Sequence, residues 1–148
     1  RPIDDATPIE TAVFQRNTPR LQDHISLAGY PFNGVLPAPT LNFGKLVDLR
    51  NLSNDERIMR LDVSAEPSNA GGPILDASGA VLGMLLPHQG NGAQALPKEV
   101  QFSLDADIIA GLLEREGIAV ATNSTGATKT PFALQEQATN MTVLVSCW

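Results

Sequence analysis

Basic residues are scarce in this sequence: 10 lysines and arginines stand against 16 aspartates and glutamates, a formal net charge of −6 with a pI near 4.7. Without a basic patch, neither nucleic acid nor an anionic membrane surface is a suitable partner. A single cysteine, Cys147, permits no internal disulfide and rules out a cysteine-based zinc site, and no other metal or cofactor is expected. Histidines number two, His24 and His88. No apolar run approaches the roughly 20 residues that a membrane-spanning helix needs. The chain opens at Arg1 with neither an initiator methionine nor a signal peptide, so it is expected to be an excised or processed piece. With 43% hydrophobic and 18% charged residues over a length of 148, the composition is that of one globular domain, with or without an appendage.

The most informative stretch runs from Asp62 to Leu86. Small residues and proline from Ser64 to Pro73 predict an irregular loop, and Gly71-Gly72-Pro73 lets the backbone pass close to something or take a positive φ just before a strand. The apolar run that follows is broken once by Asp76-Ala-Ser-Gly79, a turn with glycine at its last position. Upstream, residues 1–22 carry three prolines and no sustained period, and read as a linker or arm. Asp23 to Tyr30 is a strand with Ile25, Leu27 and Gly29 on one face. Leu41 to Leu49 alternates, with Leu41, Phe43, Lys45, Val47 and Leu49 on one side, and Arg57 to Val63 sets Met59, Leu61 and Val63 against Ile58, Arg60 and Asp62. Ala80 to Leu86 is a near-continuous apolar strand, 87–97 a loop, and Glu99 to Leu104 a short strand. Asp105 to Glu116 is an amphipathic helix with Ile108, Ile109, Leu112 and Leu113 on its apolar side, stopped at Gly117. Residues 118–130 form a polar linker, and 131–148 a short helix capped by Thr130 followed by a β-prone strand over Met141–Trp148.

Ser68-Asn-Ala-Gly-Gly-Pro73, with Leu75 to Gly83 behind it, resembles the nucleophile loop of trypsin/chymotrypsin-like serine peptidases of the bacterial type, Gly-Asp/Asn-Ser-Gly-Gly-Pro followed by leu-x-asp-x-x-gly-x-val-x-gly. Gly29-Tyr-Pro-Phe-Asn-Gly34 and the strand and helix of 99–117 are similar to the same family in the same order. The resemblance spans about residues 23–117 and implies an all-β fold: a six-stranded antiparallel Greek-key barrel, the second barrel of the trypsin-like fold, closed by a C-terminal helix. To this the sequence adds the C-terminal strand over Met141–Trp148.

Carried over residue by residue, the nucleophile position is Ala70, and the backbone of Ser68, Asn69 and Ala70 stands where the family holds the oxyanion. Alanine has no nucleophilic atom, and the family's glycine is replaced by Ser68. The family's general base and its orienting aspartate lie on a first barrel, so His24 and His88 read as surface residues. A peptide is expected to lie beside Phe102, Ser103 and Leu104, adding a strand, with its side chain in a pocket walled by those residues and by the segment from Ser64. With serine at 64, the pocket suits a small or medium apolar side chain better than Lys or Arg.

Two functions follow. One is a catalytically inactive protease homologue, a pseudoenzyme that binds peptide or protein. The other is the C-terminal half of an active serine endopeptidase, seen as a fragment or as a Ser-to-Ala variant. Beside these two stands an assembly module that uses the 141–148 strand. The resemblance also implies an exported or periplasmic protein and a missing N-terminal barrel as partner. The apolar face such a partner would cover predicts a homo-oligomer, unless the arm or the C-terminal strand covers it.

Overall fold

The computed structural model describes residues 10–88, 96–123 and 126–145. Eight strands and two helices follow in order: β1 (Val13–Gln15), β2 (His24–Gly29), β3 (Thr40–Asp48), β4 (Ile58–Asp62), β5 (Pro73–Leu75), β6 (Val81–Leu85), β7 (Val100–Asp105), α1 (Ala106–Arg115), β8 (Ala121–Asn123) and α2 (Pro131–Met141). Six of them pair antiparallel in the order β2-β3-β4-β7-β6-β5, and Ser26↔Leu75 with Leu27↔Ile74 brings β5 back onto β2 and closes the barrel. Closure leaves these six strands no long free edge.

Alternation in the sequence explains the interior. Met59, Leu61 and Val63 point inward from β4 and its end, meeting Ile25 and Leu27 of β2, Leu46 of β3, Ile74 of β5 and Leu82 and Leu85 of β6, all nearly inaccessible. The face expected for β3 needs correcting. Phe43 and Lys45 face solvent, and Leu46 is the buried residue. Gly44 is what permits this, because a Cβ there would run into the Asp62 carbonyl and Val63. Between Leu46↔Leu61 and Asp48↔Arg60 the register shifts, so Val47 is a bulged residue and Leu49 returns to the core side.

The β5–β6 turn forms as the sequence predicts. Gly79 has φ of 85°, and the Asp76 carboxylate accepts from the Ser78 N–H at 2.8 Å and the Ala80 N–H at 3.0 Å. On the β3–β4 connection, Arg57 donates twice to the Asp55 carboxylate, at 2.9 and 2.7 Å, and this hydrogen bonding lowers that carboxyl from 3.8 to about 2.

Helix α1 begins at Asp105, whose side chain accepts from the Asp107 N–H at 2.8 Å. Burial pushes the Asp105 carboxyl upward, and that cap bond opposes it. The apolar side of α1 is a correction of the expected one: Ile109 and Leu113 pack inward with buried Ala106 and Ala110, while Ile108 and Leu112 are exposed. Two alanines let the helix axis approach, so positions i, i+3, i+4 and i+7 face the barrel in place of the two bulky pairs.

Both flanking segments hold strands. β1 lies in the N-terminal arm and β8 in the expected linker; they pair in parallel, Val13↔Ala121 to Gln15↔Asn123, and Phe14 aligns with Val81 of β6. Helix α2 is capped by the Thr130 hydroxyl, which accepts from the Ala133 N–H at 3.2 Å, with Pro131 at the first position. It docks through buried Leu134 and Ala138, through Gln137, which donates to the Gly79 carbonyl, and through Gln135, which donates to the Pro39 carbonyl, both at 2.8 Å. The strand expected from Met141 onward differs: Met141 ends α2, and residues 142–145 join no ladder. Residues 146–148, with Cys147, lie outside the described residues.

Candidate functional site

The loop between β4 and β5 carries the site. Leaving β4, the Val63 N–H donates to the Glu99 carbonyl at 3.0 Å, and the Ser64 carbonyl accepts from Asn42 at 2.8 Å, which fixes where the loop starts. Residues Pro67–Asn69 then form a single 3-10 turn. Asn69 is buried and braces it: its Oδ1 accepts from the Glu66 N–H at 2.8 Å while its own N–H donates to the Glu66 carbonyl at 2.9 Å. Gly29 at the end of β2 makes room, because a Cβ there would sit 2.5 Å from Asn69 Nδ2.

The double glycine does what its composition predicts. Gly71 has φ of 85°, and its N–H donates to the Leu85 carbonyl at 2.8 Å. Gly72 lies so close to β2 that a Cβ would strike the Ala28 carbonyl; its carbonyl accepts from the Leu85 N–H and its N–H reaches the Asn69 carbonyl, both at 2.9 Å. Ala70 sits exposed on this pinned backbone. Its N–H donates to the Pro67 carbonyl at 3.3 Å. Thus the amides of Asn69 and Ala70, two of those expected to face an oxyanion, are bonded within the loop itself. Ser68, at the position of the family's glycine, lies half-buried in the same turn.

Beneath Ala70 a cavity of about 380 Å³ opens, lined by Ser64, Ala65, Glu66, Pro67, Ala70, Leu85, Leu86, His88, Lys98 and Gln101. Ser64 and Ala70 therefore line one cavity. Phe102, Ser103 and Leu104 are not part of this lining, and the strand addition expected beside them is corrected by the ladder. Arg60↔Phe102, Met59↔Ser103 and Ile58↔Leu104 occupy one edge of β7, while Leu85↔Ser103 and Met84↔Leu104 occupy the other. Ser103 and Leu104, paired on both sides, leave no edge there for an incoming strand. Phe102 and Ser103 are core.

The wall that sequence reasoning missed is the end of β6 and the residues after it, Leu85, Leu86 and His88, with Gln101 one position earlier on β7. A signal for it existed. Counting outward from the Asp76–Gly79 turn, an antiparallel hairpin that pairs Ile74 with Gly83 must set Gly72 near Leu85, and hence the loop beside Leu86 to His88. Gln101 is buried and satisfied, its Nε2 donating to the Lys98 carbonyl at 2.7 Å. His24 stands exposed at the start of β2, and His88, also exposed, belongs to the cavity rim. Among the described residues no three His, Cys, Asp or Glu side chains gather as a metal site would require, and no helix is long and apolar enough to cross a membrane.

A second cavity, about 230 Å³, opens on the other side of the loop between Gly29, Tyr30 and Ser68–Gly72 and the C-terminal residues Thr142–Val145. Another cavity, about 400 Å³, lies apart from the loop, among Arg16, Arg50, Arg57, Asp105 and Asp107.

The architecture is shared with solved proteases. The chain superposes on Rv3671c of M. tuberculosis H37Rv, crystallised as a serine-to-alanine mutant in an inactive form, with a TM-score of 0.52 and 25% identity, over 72% of this chain and 53% of that one. A second structure of the Rv3671c protease, also an inactive form, matches in fold with a TM-score of 0.53 at 24% identity over 72% and 55% of the two chains. In sequence, the chain is 30% identical over 135 residues to the uncharacterized protein y4bJ of Sinorhizobium fredii, covering 86% of this chain and 21% of that protein. The chain thus spans about half the length of the solved relatives and about a fifth of the curated one. The family model for the trypsin-like peptidase domain matches residues 2–84, which include the arm, strands β1 to β5, the Ala70 loop and most of β6. A closed six-stranded barrel, a Gly-Gly-Pro loop pinned at its mouth and a match over more than half its length carry one conclusion: the chain belongs to the trypsin-like peptidase domain family.

Proposed function

We propose that this domain is a catalytically silent member of its family that binds peptide or protein at the cleft beside Ala70. One observation carries the reading: the side-chain cavity below the loop stays open, while the nucleophile position bears only a methyl group. Acyl transfer needs both an attacking atom and free donors aimed at the developing oxyanion. Ala70 supplies no such atom, and the Ala70 N–H is engaged by Pro67. Binding needs neither. A volume near 380 Å³ has room for a peptide side chain, Ser64 adds no charge to favour Lys or Arg, and Glu66 and Lys98 on the lining are of opposite sign.

A second reading is the C-terminal half of a working endopeptidase whose first barrel lies elsewhere in the parent. It is favoured by the solved relative, a protease crystallised in one form as a serine-to-alanine mutant.

One experiment separates them. Fluorescence anisotropy with labelled peptides that present Ala, Val, Leu, Lys or Asp at one position is expected to show binding of the apolar members. Ser64→Trp, which fills the cavity from an exposed position, is expected to weaken that binding at least tenfold without moving the melting temperature. Equal binding by both proteins refutes the cleft. In the full-length parent, Ala70→Ser is expected to remain unlabelled by a fluorophosphonate probe, and labelling would establish the endopeptidase reading instead.

A further inference from the structure

We propose that residues 142–145 are a displaceable intramolecular cover over the face of the Ser68–Gly72 loop opposite the 380 Å³ cleft, hinged at Thr142, so that the protein regulates access to the smaller cavity beside Ala70. This rests on the peptide-binding reading only for what displaces the cover.

The segment is firmly held up to its hinge and loosely held beyond it. Helix α2 is fixed by Gln137 on the Gly79 carbonyl and Gln135 on the Pro39 carbonyl, and its end is tied to the arm, where the Asn140 carbonyl accepts from the Glu10 N–H at 3.2 Å and Asn140 Nδ2 donates to the Glu10 carboxylate at 3.0 Å. At the hinge the Thr142 N–H donates to the Ala138 carbonyl at 2.9 Å, and the Tyr30 hydroxyl donates to the Thr142 carbonyl at 3.1 Å. Tyr30 follows directly after β2, so the hinge is anchored to the same strand end that makes room for Asn69.

Past Thr142 the chain runs across the loop: Thr142 to Val145 form one wall of the 230 Å³ cavity, and Ser68 to Gly72 with Gly29 and Tyr30 form the other. Among the described residues, Val143, Leu144 and Val145 make no backbone hydrogen bond. Their side chains remain 42%, 48% and 80% exposed, although all three are apolar. Leu144 lies against Gly34, where a Cβ would collide with it, yet Thr142 Oγ1 is buried with no hydrogen-bond partner. An apolar segment that covers a polar loop, gains no ladder bonds, buries about half its side chains and leaves one hydroxyl unsatisfied is held weakly. A tethered segment nevertheless competes well with an external one, because its local concentration is of millimolar order.

The test compares the full chain with Leu144→Asp, a substitution at a half-exposed position that leaves the barrel intact, and with Tyr30→Phe, which removes the hinge bond alone. Hydrogen exchange read by mass spectrometry over residues 66–72 is expected to quicken at least threefold in Leu144→Asp and measurably in Tyr30→Phe, with β4 and β7 unchanged. Unchanged exchange over 66–72 in both variants overturns the proposal, whatever any peptide does. The same proteins are titrated with the synthetic peptide Met-Thr-Val-Leu-Val-Ser, the sequence of residues 141–146. Leu144→Asp is expected to bind it at least tenfold more tightly than the unaltered chain. Faster exchange with no peptide bound by any of the proteins keeps the cover and refutes the tail-like peptide as a ligand of the cavity it covers, so the two readings fail separately.

Discussion

Asn69→Ala tests whether one buried amide holds the cleft loop in shape. The side chain is almost inaccessible, and its Oδ1 is the acceptor for the Glu66 N–H at 2.8 Å, closing the reciprocal bonds of the 3-10 turn. Removing it forfeits a hydrogen bond with a net value of about 1 kcal/mol and strands a half-buried N–H at a similar further cost, so the substitution should destabilise by about 2 kcal/mol. For a domain of this size that corresponds to a melting temperature lower by roughly 4–8 °C. Urea unfolding followed by circular dichroism measures the free energy, and a thermal scan the shift. Asn69→Asp keeps the acceptor and should lose clearly less than Asn69→Ala. A loss below about 0.5 kcal/mol for Asn69→Ala would refute the reasoning, since it would mean that the turn is held by the Ala70–Pro67 and Gly72–Asn69 backbone bonds alone.

Two further expectations concern other parts of the chain. The Asp55 carboxyl stands at about 2 because Arg57 hydrogen-bonds to it; a folded value below the unfolded 3.8 means that this pair's contribution is present above about pH 4 and is lost as pH falls towards 2. Carbon-13 titration should therefore show the Asp55 carboxyl returning towards 3.8 in Arg57→Gln, and a value still near 2 would remove Arg57 as the cause. Thr130→Ala deletes the cap of α2 at a cost of about 1 kcal/mol, read as faster exchange of the Ala133 amide, whereas Thr130→Asp should retain protection.

Local rules carried much of this protein into its sequence. Strand after strand was legible because a residue pattern of period two leaves one face apolar, as with Met59, Leu61 and Val63. Caps and turns were legible for the same local reason: Asp76-Ala-Ser-Gly79 bends through its own Asp76 side chain, and Thr130-Pro131 starts a helix whatever surrounds it. The Ala70 loop was recognisable because Gly71 and Gly72 serve a backbone path that few other residues permit.

What tertiary structure alone decided is which of two possible faces or edges each element uses. Phe43 and Leu46 are both apolar, and only the bulge at Val47 and the close approach of Gly44 to β4 select Leu46 for the core. Ile108 and Ile109 are equally apolar, and the packing of Ala106 and Ala110 chose between them. Phe102, Ser103 and Leu104 read as a strand with an edge to offer, but β4 and β6, distant in sequence, fill both edges and move the cleft wall to Leu86 and His88. Met141 to Val145 has strong β-propensity, yet Met141 ends helix α2 and the residues after it lie along the Ser68–Gly72 loop without joining a ladder. Propensity is a property of a few neighbouring residues; a free edge is a property of the whole sheet.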